Sequence, residues 1–215
     1  MTGAVAGVDV RERSRIEIVP RRGLPLVAAA LIFVVVAIAT NSLWMLMFSH
    51  VVGGAMWTAL DLFLGLILGP ILGRLSPPAR AEFTARLMPK MVLIMPTVVA
   101  MNLAAGFQMA LRLGFLRTAS PNHAWLIASM IVVGVMAVIA LGILEPANIA
   151  VLVEMNKPNP VPEKIGALMK RFIATAGVTG GMQIATLIIM TRVASRCASP
   201  RARRWPPRRG SPPEL

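Results

Sequence analysis

From Leu24 to Gly73 the chain is apolar almost without interruption. A membrane-spanning helix needs about 20 predominantly apolar residues, so this stretch has room for two. The polar triplet Thr40-Asn41-Ser42 divides it into Leu24 to Ala39 and Leu43 to Gly73. A division at Gly53-Gly54 is the alternative, but Asn and Ser suit a turn at an interface better than Phe48 or Val51 do. Three further apolar runs follow, at 91–113, 124–146 and 172–191. The pattern predicts an all-α fold: a polytopic transmembrane bundle with spans at about 24–40, 43–73, 91–113, 124–146 and 172–191. Four helices would form its core and one would be added at the N-terminus.

The polar segments carry their own expectations. The second run exceeds what a bilayer needs, which predicts tilt or an interfacial turn near Gly69-Pro70. Between Arg74 and Lys90, Ser76-Pro77-Pro78 reads as a stop and a helix start, and Phe83 and Leu87 share one face. That predicts an amphipathic helix lying among headgroups. Ser120-Pro121-Asn122 and Asn156-Lys157-Pro158-Asn159-Pro160 read as loops. Residues 1–23 form a polar, basic tail, expected to be mobile. Residues 196–215 are rich in Arg and Pro and are expected to be disordered. Arg21-Arg22, the first apolar run and Ala37-Ile38-Ala39 also resemble a signal peptide with its cleavage site. The run is slightly long for that, so an uncleaved helix is the preferred reading.

Composition supports a membrane protein. The chain is 56% hydrophobic and 14% charged, with mean hydropathy +0.72, against about 25% charged residues in a soluble domain. The net charge of +13 sits in the tails and in the gaps between apolar runs. Anionic lipid headgroups explain such a distribution, and nucleic acid is not an expected partner. The single cysteine, Cys197, excludes an intrachain disulfide and a Cys-based metal site. Arg74, Arg80, Arg86 and Lys90 in one loop, with Lys157, Lys164, Lys170 and Arg171 in another, outweigh Arg112 and Arg117 on the opposite side. The positive-inside rule then predicts a multi-pass protein of the bacterial plasma membrane with a cytoplasmic N-terminus. The arginines from Arg192 to Arg209 oppose that orientation.

Few residues offer chemistry. His50, Trp57 and Asp61 are spaced by seven and eleven residues, which places them within roughly 20° on one helix face. Ionisable groups in a span usually face the bundle interior and mark functional pathways. His50 and Asp61 stand ~16 Å apart along the axis and cannot pair directly. The plainer reading gives His50 a hydrogen bond to a neighbouring helix and puts Asp61 at the inner interface. His123, beside Trp125, is the only other histidine; with His50 it could ligate a haem iron, or it could simply be an interfacial residue. Met45 and Met47 precede His50, and thioether with imidazole suits Cu(I). Met88, Met95 and Met109 with Asn102 form a stripe whose plainer reading is packing. Glu145 and Asn148 share a face, and Gln108 and Gln183 can bond helices together. Gly177, Gly180 and Gly181 admit a close helix approach. No Ser-His-Asp arrangement, P-loop, dinucleotide fingerprint or zinc pattern occurs in the sequence.

The segment Ser49-His50-Val51-Val52-Gly53-Gly54-Ala55-Met56-Trp57 resembles the start of the core helix of copper-resistance protein D-like domains and related bacterial membrane proteins. Leu68-Gly69-Pro70-Ile71-Leu72 and Arg74-Leu75-Ser76-Pro77 are similar too. The resemblance implies a four-helix core, and copper handling or haem-linked redox chemistry, with His50 and Trp57 carried over. The expected cofactor is therefore haem b or copper. Candidate cofactor contacts are His50, Trp57 and His123, and candidate metal ligands are His50 and Met47. No catalytic residue is assigned. The competing expectation is a non-catalytic partner or scaffold subunit of a larger membrane complex, or a homo-oligomer.

Overall fold

A computed structural model describes residues 16–120 and 122–198. The expectations for the chain before 16 and after 198 lie outside the described residues. Helices account for the architecture, and no strand occurs among the described residues. Among the described residues five helical rods are long and apolar enough to cross a membrane: Arg21–Ala39, Leu43–Arg74, Pro77–Arg112, His123–Met155 and Pro162–Ser195. The protein is an all-α membrane bundle.

The first rod is α1 (Leu24–Ala39), with Pro25 in its first turn, where a missing N–H costs nothing. It ends in a turn at Asn41, which adopts φ 49°. Asn41 N–H bonds to Ile38 O at 3.1 Å and Ser42 N–H to Ala37 O at 3.2 Å. That pair of bonds is the Schellman motif, and Asn is among the few non-glycine residues that accept its left-handed position. The same motif closes α4 (Pro77–Arg112), using Gly114 at φ 67°. Gln108 of α4 donates to Asn41 Oδ1 at 3.4 Å, so the two turns lie at one end of the bundle, here the Asn41 end.

The second rod is α2 (Leu43–Leu62), a π-helical segment Phe63–Leu68 and α3 (Gly69–Arg74). The fourth repeats this plan: α5 (His123–Ile139), a π-helical segment Ala140–Leu144 and α6 (Glu145–Met155). Each π segment ends two residues before a proline, Pro70 or Pro146. Gly69 N–H reaches back five residues to Leu64 O, and Glu145 N–H to Ala140 O. A proline ring would clash with the carbonyl four residues earlier, Leu66 for Pro70 and Gly142 for Pro146. Widening the preceding turn relieves the clash without breaking the rod. Pro70 therefore makes no interfacial turn, and the fourth helix runs past Pro146 to Met155.

The other long helices also begin earlier than the apolar pattern suggests. α4 is continuous over 36 residues, through Pro89 and Pro96, and α7 (Pro162–Ala198) over 37. At 1.5 Å per residue each is about 54 Å long, well beyond a ~30 Å hydrocarbon core. The basic amphipathic stretch before Lys90 is thus the first part of a spanning rod rather than a separate helix. At this Arg74 end Glu154 pairs with Lys157 at 2.7 Å and Lys164 at 3.1 Å, joining α6 to α7. Asn156 exchanges two 2.9 Å hydrogen bonds with the Ile16 backbone. Residues 16–23 are consequently docked, with Ile16 and Ile18 against the core, rather than part of a free tail.

The core is built from α2, α4, the α5–α6 rod and α7, around Trp57, Leu64, Met88, Met95, Met136 and Phe172. Of the methionine stripe, Met88 and Met95 are core filler. α1 buries only Val34 and Ala37 and packs on the outside of α2 and α4.

Candidate functional site: a cavity beside His50

Toward the Asn41 end, α2, α4, α5 and α7 separate around a cavity of about 360 Å³. Its wall is apolar apart from His50 of α2, Asn102 of α4 and Ser129 of α5. Three methionines reach it from three helices: Met109 from α4, Met130 from α5 and Met190 from α7.

His50 is held in one orientation. Its Nδ1 lies 3.0 Å from the backbone oxygen of Asn102. A carbonyl oxygen only accepts, so the proton of this hydrogen bond sits on Nδ1, and Nε2 is the nitrogen left for another partner. Metal-ligating histidines are commonly oriented by such a bond from the second ring nitrogen. One turn beyond Asn102, Gly106 makes the position available. A Cβ there would come within 2.6 Å of Nδ1 and 2.7 Å of Cε1, so the ring lies directly over the glycine backbone.

The other sequence candidates are not gathered here. Trp57 is completely buried two turns further along α2, off the cavity wall. Met47 is 44% exposed on the outer surface of α2 and does not line the cavity. His123 opens α5, its Nδ1 3.4 Å from the Phe115 backbone oxygen. Phe115 belongs to the wall and His123 does not. A short interval along the chain thus misled for Met47, which leaves on a different helix face from His50. Glu145 and Asn148 do face each other, away from this cavity.

Gly106, Met130 and Met190 are the site residues that sequence reasoning missed. Gly106 follows Asn102 by one helical turn, a weak signal available in the sequence. Nothing in the sequence joins Met130 and Met190 to His50, because they come from α5 and α7. Among the described residues no group of three or more His, Cys, Asp or Glu side chains could hold a metal ion. A metal held at His50 would therefore draw on thioethers. Comparison with family models, curated proteins and solved structures finds no match to this chain.

Proposed function

We propose that this membrane protein binds copper as Cu(I), using His50 and the thioethers of Met109, Met130 and Met190. The observation that carries the reading is the oriented imidazole, with Nδ1 engaged by Asn102 and Nε2 left over, on the wall of a cavity that three methionines share. The donors are neutral and soft, and that combination suits Cu(I) better than a hard divalent ion. The ion itself would supply ligand exchange and one-electron redox chemistry. The chain's part is to orient His50, through Asn102 and Gly106, and to line the site with apolar side chains. The resemblance of the Ser49 to Trp57 segment to copper-resistance D-like proteins points the same way. Haem between two histidines fits less well, since His123 is not on the cavity wall.

The test is metal analysis with absorption spectroscopy on protein purified under reducing conditions from cells supplied with copper and haem. Stoichiometric copper that disappears in His50→Ala, with the protein still inserted, is the expected result. A Soret band would replace copper by haem. A colourless, metal-free protein that co-purifies with a defined membrane partner would end the reading in favour of a scaffold role.

The same reading places the chain in a bacterial plasma membrane, with the N-terminus and residues 74–90 and 156–171 cytoplasmic. A cysteine at Ser76, in a Cys197→Ser background, should resist an impermeant thiol reagent in intact cells. Ready labelling would reverse the orientation.

A further inference from the structure

Asp61 lies eleven residues beyond His50, outside the cavity and independent of any metal there. Its side chain is 0% exposed, and neither carboxyl oxygen has a hydrogen-bond partner. It sits at the packed seam between α2 and α7, which agrees with the interior-facing reading of the sequence rather than with the plainer one that put it at the inner interface. Two residues further on the chain enters its first π segment, Phe63–Leu68, a local geometry that recurs at functional positions in helices.

The groups that face the carboxyl are Trp57 from its own helix and Thr179 and Gln183 from α7. No charged or titratable side chain from α4, the α5–α6 rod or α7 faces it among the described residues. An ionised carboxylate buried with no cation beside it is strongly unfavourable. The neighbours can serve the acid as well as its anion. Trp57 Nε1 can only donate, and it is buried without a partner. The Thr179 hydroxyl lies 3.0 and 3.1 Å from the backbone oxygens of Ala176 and Thr175; while it gives its one proton to either, it can accept from a protonated Asp61. A carboxylic acid, with one O–H donor and free lone pairs, satisfies Trp57 and Thr179 while Thr179 keeps its backbone bond; a carboxylate is satisfied only if Thr179 turns its proton away from the helix backbone.

Gln183 can serve either form. The Thr58 hydroxyl lies 2.8 Å from Gly54 O and 3.0 Å from the Gln183 side-chain oxygen, yet it has one proton to give. When that proton goes to Gln183, the buried amide N–H₂, otherwise unpartnered, is available to a carboxylate at Asp61. When it goes to Gly54, the amide can turn over, donate to Thr58 and present its oxygen to a protonated Asp61. Oxygen and nitrogen of an amide occupy the same space, so the exchange requires no repacking.

We propose that Asp61 is a proton-binding site inside the bundle, whose occupancy is relayed to Thr58 on α2 through the Gln183 amide. Taking up the proton forms the carboxyl O–H bond. Releasing it breaks that bond, leaves the electron pair on Asp61 and hands the proton to water, while Gln183 turns its N–H₂ to the carboxylate.

The chain contains two aspartates, Asp9 and Asp61, which makes a direct test available. Infrared spectra of the full chain in lipid nanodiscs, with aspartate carrying heavy carbon at its carboxyl, should show a protonated carboxylic acid band. The band should move with the label and with exchange into D₂O, and vanish in Asp61→Asn. It should decline as pH rises, and Gln183→Leu should shift its frequency or midpoint without removing it. If Asp61→Asn fails to insert, the isotope shift in the wild type combined with Asp9→Asn still assigns the band. Absence of any label-sensitive acid band, at every pH where the protein stays folded, overturns the proposal. So does a band that Na⁺ abolishes at constant pH, which would make Asp61 a metal-cation ligand.

Discussion

The two halves of the second rod meet the same bundle in opposite ways. Near His50 the helices stand apart around a cavity, and Gly106 of α4 leaves room for an imidazole ring. Past Asp61 there is no room at all. A Cβ on Gly65 would lie 2.5 Å from the Gly177 Cα and 2.8 Å from its nitrogen, so the backbones of the first π segment and α7 are in contact. Glycine serves both regions, once to admit a side chain and once to exclude them. The lesson is that small residues in a membrane bundle do not by themselves say whether helices close or open. What lies opposite them decides it.

Substituting the glycines separates the two cases, and the largest effect belongs to the closed seam. Gly65→Ala drives a methyl into backbone, which cannot rotate away. Overpacking of this kind costs about 1–3 kcal/mol, and the upper end is expected here. Fluorescence-detected size exclusion after a thermal ramp should show a clear drop in melting temperature. A melting curve like the wild type's would mean that the first π segment and α7 do not touch at this point.

Gly106→Ala meets a side chain, which can give way. The expected cost is about 1 kcal/mol, at the low end of overpacking, but the ring must leave Asn102 O. Copper retention should therefore fall more sharply than stability, and retention at the wild-type level would detach Gly106 from the site.

His50→Ala removes one interhelical hydrogen bond inside a cavity that already exists. A loss on the order of 1 kcal/mol is expected, typical of such bonds in membranes, with normal insertion. A much larger loss, read from the same thermal ramp, would make His50 a structural keystone and weaken the binding reading. Gly134→Ala, on the cavity wall with nothing within 4 Å of the added Cβ, supplies the contrast. It should change stability least, with a gain of up to about 1 kcal/mol from helix propensity. A loss comparable to that of Gly65→Ala would show that the cavity is collapsed in the membrane.

The long apolar runs, with polar residues between them, were enough to read an all-helical membrane bundle. The physics is one-dimensional there: in lipid each span must satisfy its own backbone, so length and composition alone select a helix. That the helix read from Pro77, and the turns from Pro162, run on into the spans was harder, because basic, amphipathic turns continue a rod as readily as they form a separate interfacial helix. The two π segments could not be read either. Proline in an apolar run signals a disturbance, but whether the chain turns, kinks or widens depends on neighbours that hold both sides of it.

The sequence by itself determined that this chain lives among lipids as a helical bundle, and that His50, Trp57 and Asp61 share a helix face. The tertiary structure alone decided what that face means. It set His50 against Asn102 and Gly106, brought Met109, Met130 and Met190 to the same cavity, and sealed Asp61 against Thr179 and Gln183. The reason is physical: helical periodicity orders residues along one rod, whereas the partners of a buried polar group come from other rods, and only their packing brings them within reach.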